Sequence, residues 1–176
     1  GAGGAGGVDG RVKSRVATGR EPSNRAQGMS SEKCPACARL ERVRAGADPF
    51  YVGDLRESVV LLHKHQRYEG WCSVWLREHA EHLAALPRAR QAALWEDVAD
   101  VAGAMRAVLG AVRINYENLG NVVPHVHWHV IPRRETDPDP RATVWVRPAE
   151  ETECGCDEAA RSRLVGALGA ALRTRG

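Results

Sequence analysis

The segment Pro124-His-Val-His-Trp-His-Val-Ile-Pro-Arg133 constrains this chain more than any other stretch, because it places a histidine at every second position: His125, His127 and His129. Alternate residues of a β-strand share one face. The three imidazoles would therefore stand in a row about 6.5 to 7 Å apart, with Val126, Trp128 and Val130 on the opposite face. One histidine on a sheet is ordinarily structural. Three on one half-buried face put costly polar groups where apolar ones would be favoured, and that arrangement marks a functional site. Such a row serves either as metal ligands or as a nucleophile with helpers, and other residues must choose between them.

The rest of the chain limits the setting. Its 176 residues are 43% hydrophobic and 27% charged, enough to bury one core, so one domain is expected. No run approaches the roughly 18 apolar residues of a spanning helix, and the N-terminus lacks the apolar core of a secretion signal. The net charge of +3 invites a nucleic-acid reading, but residues 1–28 hold five basic side chains against two acidic ones and the remainder is balanced. Neither a nucleic acid nor a membrane is expected as a partner. That first segment carries 8 of the 18 glycines and no Leu, Ile or aromatic residue, so it is expected as a disordered leader. Residues 29–176 are expected to form a single domain with a C-terminal helical extension.

Five cysteines is an odd count in a chain too large to need disulfide staples, which points to a reducing cytoplasm. Cys34-Pro-Ala-Cys37 has the gap that presents two thiolates to one tetrahedral ion, at about 2.3 Å each. The same spacing is a redox motif, but Ser30-Ser-Glu-Lys33 does not read as the strand such a motif follows. Cys34, Cys37 and two histidines would make a closed set with no open position, so that zinc would be structural. At most one strand histidine would join it, leaving two for chemistry. A catalytic zinc on all three strand histidines would leave the cysteine pair unexplained. Cys72, Cys154 and Cys156 receive no role.

Hydrophobic patterning predicts an α+β fold, an antiparallel sheet with a long packed helix. Residues 50–52, 58–65 and 71–76 read as a meander separated by Gly53-Asp54 and Glu69-Gly70. Residues 77–86 are expected to turn helical. Leu94, Val98, Val101, Met105 and Val108 then line one face of a helix that starts after Pro87 and ends at Gly110. Residues 113–116 and 125–131 supply further strands, and 157–173 read as a closing helix.

Taken together, these residues resemble the histidine triad (HIT) family of nucleotide hydrolases and transferases, whose signature is His-x-His-x-His followed by apolar residues. The likeness extends over about residues 34–134: Gly70 to Val74 with Arg77-Glu78-His79 behind it, the helix from Leu94 to Leu109, Gly120-Asn121 in place of a common Gly-Gln, and Val130-Ile-Pro-Arg133. The wording Asn-Leu-Gly-Asn-Val-Val-Pro-His followed by His-Trp-His is closest to bacterial members grouped with diadenosine polyphosphate hydrolases.

The resemblance implies a HIT-like fold and a structural zinc on Cys34, Cys37, His79 and His125, with His82 as a surface residue or rival ligand and no organic cofactor. It implies His127 as a nucleophile toward the α-phosphate of a dinucleoside polyphosphate or related nucleotide conjugate, forming a nucleotidyl-histidine. His129 would contact the phosphate oxygens, assisting the leaving group if protonated. Nucleotidyl transfer, phosphoramidate cleavage and a nucleotide-binding scaffold without turnover stay open, and a homodimer is expected. Asn115, Gly120, Asn121 and His63 are the expected substrate contacts, while Asn118 is expected to hold its turn. The chain departs from the family at Val122, where a hydroxyl residue is common, at His63, near a common Asn, and at Gly70-Trp71, in place of a Gly-His pair. His63 and His65 are expected on one strand face, lining the pocket or an exposed edge. Asp137-Pro-Asp139-Pro and Trp145 receive no assigned role; a C-terminal segment near the site would tune specificity.

Overall fold

A computed structural model describes Gly1 and residues 30–148 and 154–175. The expected leader lies outside the described residues apart from Gly1. Five strands form one antiparallel sheet in the order β1-β2-β3-β5-β4: β1 Tyr51–Asp54, β2 Ser58–Leu62, β3 Cys72–Leu76, β4 Arg113–Glu117 and β5 His127–Arg133. Among the described residues three α-helices accompany them, α1 Pro35–Arg44, α2 Arg88–Leu109 and α3 Glu158–Arg173. The fold is α+β, as the patterning predicts. Among the described residues no helix is long and apolar enough to cross a membrane.

Period two sorts the sheet into two unlike faces. Val60, Leu62, Val74, Trp128 and Val130 face one side, where they pack with Leu94, Val98, Val101 and Met105 of α2 and Leu164, Leu168 and Leu172 of α3. The other side carries Val59 and Leu61 under Leu40 of α1 at one end, and Ile131 with Tyr68, Trp71 and Val144 at the other. Between those two apolar plugs, β5 presents His127 and His129. Register fixes their neighbours: His127 lies opposite Trp75 and His129 opposite Ser73 on β3, while Glu117 of β4 flanks His129.

Two expected elements differ. Residues 77–86 do not form an α-helix; the chain bends and makes only a short 3₁₀ turn at Leu83–Ala85. Its backbone groups are spent elsewhere, since Arg77 N–H donates to Glu57 O and Ala80 O accepts from Val126 N–H at 2.7 Å. β2 stops at Leu62, so His63 and His65 are not strand neighbours. Gln66 closes the following loop instead: its amide donates to His63 O and Trp71 O, and its carbonyl accepts from Gly70 N–H. Gly70 has φ of 91°, a backbone region that L side chains rarely adopt, so glycine suits this loop where it passes the Leu109 side chain of α2.

Candidate active site

His127 and His129 open onto a cavity of about 550 Å³ that His63, Gly120 and Asn121 also line. Gly120 has φ of 67° with open space around its missing Cβ, so the backbone turn into β5 is what calls for glycine. Asn118 spans that turn, its amide donating to His127 O at 2.7 Å. Asn115 stands apart: its carbonyl accepts from Arg133 at 2.7 Å, and it lines a separate cavity of about 580 Å³ with Arg113, Arg141 and Thr143. Val122, where the family often has a hydroxyl, is 89% exposed.

Hydrogen bonds fix which ring nitrogens are available. His127 Nδ1–H donates to His125 O at 2.7 Å; a carbonyl can only accept, so the Nε2 lone pair of neutral His127 is left for the cavity. His129 Nδ1 receives the indole N–H of Trp71 at 3.2 Å. Burial, helped by His127 and His63, pushes the pKa of His129 down to about 3, and burial likewise takes His63 down to about 4. Both imidazoles are neutral at physiological pH.

The sequence reading passed over four residues of this cavity, Arg39, Lys64, Ser73 and Trp75, and left a fifth, Trp145, without a role. Arg39 is paired with Asp48 at 2.8 Å and lies over the Trp75 ring. Ser73 and Trp75 alternate with Val74 and face the histidines across β3, a placement that period two would have given once the strand's register was known. No local pattern assigns Trp145 to the cavity, since a loop of more than ten residues brings it back. Arg133 secures that loop, donating to Asp137, Asp139 O and Ala142 O. Trp145 then packs edge-on against His129 at 5.3 Å and Trp71 at 5.6 Å.

On the same face, just before β5 begins, Cys34, Cys37, His79 and His125 converge, their ligand atoms all within 4.8 Å of one another. His125 Nε2–H donates to Leu76 O at 2.8 Å, so its Nδ1 lone pair points at the two sulfurs, 3.7 Å from each; His79 Nδ1 lies 3.5 Å from Cys37 Sγ. A sulfur about 2.3 Å and a nitrogen about 2.0 Å from a tetrahedral ion would be about 3.5 Å apart. The four residues therefore fit a zinc ion by spacing, by donor type and by a carbonyl that orients His125. Burial and the adjacent Cys34 raise the Cys37 thiol to about 11 without a metal, an expense that a cation removes. His82 is not in the cluster.

Comparison with known proteins agrees with this geometry. The HIT domain family model matches residues 45–136, more than half of the chain. The chain belongs to the HIT domain family. That family binds nucleotides and includes hydrolases and transferases. Among solved structures, a histidine triad protein from Bradyrhizobium japonicum is 28% identical, with a TM-score of 0.58, over 74% of this chain and 92% of its own. A HIT protein from Sinorhizobium meliloti is 27% identical, with a TM-score of 0.62, over 82% of this chain and 98% of its own. A zinc-bound histidine triad family protein from Mycobacterium smegmatis shares the fold, at 23% identity and a TM-score of 0.60 over 84% of this chain and all of its own. No curated protein matches the chain.

Proposed function

We propose that this HIT protein is a nucleotide hydrolase in which His127 attacks the α-phosphate of a dinucleoside polyphosphate or a related nucleotide conjugate. The observation that carries this reading is the His127 hydrogen bond: with Nδ1–H committed to the His125 carbonyl, Nε2 meets the cavity as a lone pair. That lone pair bonds to phosphorus while the P–O bond to the departing phosphate breaks, the leaving oxygen keeping the electron pair. The ring becomes cationic, and the His125 carbonyl, still accepting from Nδ1–H, stabilises that charge. Water then attacks the nucleotidyl-histidine, the P–N bond breaks, its electrons return to Nε2, and a nucleoside monophosphate leaves while the proton lost by the attacking water passes to bulk solvent.

Arg39 and Lys64 supply positive charge along the cavity, and His129, Asn121 and the Gly120 backbone are the contacts proposed for phosphate oxygens. His63 is placed to meet the nucleoside. Asn115 acts through Arg133 rather than on substrate. Cys34, Cys37, His79 and His125 would hold a zinc whose chemistry is structural: four protein ligands leave no open position, and the ion ties α1 and the bend after β3 to the start of the active strand. A pair of thiolates of this kind belongs in a reducing cytoplasm. We further propose a homodimer through the free edge of β4, beside the exposed Trp95 and Tyr116.

A panel of adenosine and guanosine polyphosphates, phosphoramidates and acceptor alcohols tests the activity. Hydrolysis of polyphosphates, abolished in His127→Ala and partly restored to His127→Gly by free imidazole, is the expected result. Full activity in His127→Ala overturns the mechanism, and tight nucleotide binding without turnover would make the chain a scaffold.

A further inference from the structure

We propose that Trp71 is a positioning residue that fixes His129 as a neutral hydrogen-bond donor, and that this favours substrates whose leaving group departs as an anion. The consequence for substrate rests on the nucleotidyl-histidine reading; the tautomer itself does not. Indole nitrogen has a hydrogen and no lone pair to offer, so Trp71 Nε1 can only donate. His129 Nδ1, 3.2 Å away, must then be the unprotonated nitrogen, and the single hydrogen of the neutral ring sits on Nε2. A cationic His129 would set its own Nδ1–H against the indole N–H.

The indole cannot easily turn away. Trp71 is 2% exposed, stacks on His63 with ring centroids 4.1 Å apart at 13°, and packs with Tyr68, Ile131 and Val144. Its loop is closed by Gln66. Next to it, His127 has the opposite tautomer, held by the His125 carbonyl, and the two rings lie 5.2 Å apart. His127 therefore keeps its Nδ1–H on the carbonyl and turns Nε2 to the cavity, while neighbouring His129 offers an Nε2–H.

This arrangement discriminates between leaving groups. When His127 Nε2 bonds to phosphorus, a departing phosphate carries off the P–O electron pair as a stable anion and needs only a hydrogen bond from His129 Nε2–H. A departing amine must take a proton as the P–N bond breaks. Neutral His129 could supply that proton only by becoming an imidazolate, a far poorer outcome than for an imidazolium donor. Trp71 therefore biases this cavity toward phosphoanhydrides over phosphoramidates.

The test is ¹⁵N-detected histidine NMR on the full-length protein at neutral pH, with His129 assigned from His129→Gln. The wild type is expected to show His129 protonated on Nε2 only. Trp71→Phe keeps a ring against His63 but lacks the N–H, and it is expected to shift His129 to a mixture of tautomers. A wild-type His129 that carries its hydrogen on Nδ1, or both hydrogens, overturns the proposal even if Trp71→Phe fails to fold; so does a folded Trp71→Phe with the tautomer unchanged. In a second arm, diadenosine tetraphosphate is expected to exceed an adenosine phosphoramidate in kcat/KM by at least about tenfold, and Trp71→Phe to narrow that ratio several-fold. Preference for the phosphoramidate overturns the proposal. Absence of turnover on both substrates refutes the hydrolase reading alone, and the NMR result still decides the role of Trp71.

Discussion

Replacing Arg133 by Met should damage both the fold and the site, by an amount that can be worked from its contacts. The Arg133 side chain is 4% exposed and donates to Asp137, Asn115, Asp139 O and Ala142 O, each at 2.7 Å, while its guanidinium lies 5.0 Å from the Tyr68 ring centroid. Methionine fills part of that volume but donates nothing. Asp137, only 10% exposed, is left without its cation. Removing one half of a buried ion pair costs about 3–5 kcal/mol, most of it the stranded charge. At roughly 2–4 °C per kcal/mol for a chain of this size, the thermal midpoint should fall by about 6 to 20 °C. Arg133→Lys should recover little, since one ammonium cannot reproduce the fork. Adding Asp137→Leu to Arg133→Met removes the stranded carboxylate and should return at least about half of the loss. Urea unfolding of the four proteins measures this directly, and a loss below about 1 kcal/mol in Arg133→Met would refute the reasoning. Because Arg133 also secures the loop that carries Trp145 to His129, KM should rise in any variant stable enough to assay.

Three further outcomes follow from other parts of the molecule. Metal analysis of protein purified without added zinc should give about one zinc per chain, lost in Cys37→Ser together with a lowered unfolding midpoint; a metal-free, fully folded protein would contradict the four-residue site. His129 resists protonation to about pH 3 in the folded state but ordinarily takes a proton near 6.5 when unfolded, so stability should fall as pH drops below about 6.5. Its share approaches about 1.4 kcal/mol per pH unit, so urea titrations of wild type and His129→Asn between pH 6.5 and 4.5 should diverge in slope by that amount. Trp95 is 55% exposed beside β4 with its ring tilted against that of Tyr116, so Trp95→Glu should turn a dimer into a monomer by sedimentation.

Much of the architecture is legible wherever one local period dominates. The stripe from Leu94 to Val108 can only bury as a helix, and Gly110 ends it in a left-handed turn with φ of 62°. The alternation from His127 to Arg133 can only sort as a strand. Residues 77–86 mislead because their helical composition competes with backbone bonds to Glu57 and Val126, which no local pattern encodes. The same limit applies within the site. Cys34 and Cys37 announce themselves by spacing, whereas the hydrogen bond from Trp71 to His129 joins residues 58 positions apart. Asn115 is legible as a short amide near the triad; that Arg133 occupies its carbonyl depends on β4 pairing beside β5.

The central claim is that His127 makes a covalent bond to the nucleotide. Intact-mass measurement of the protein acid- or base-quenched within its first turnovers on diadenosine tetraphosphate tests it most directly. The account predicts a species heavier by one adenylyl group, mapping to the peptide that contains His127 and absent from His127→Ala. Product formation with no adduct at any quench time, or an adduct that persists in His127→Ala, would contradict it.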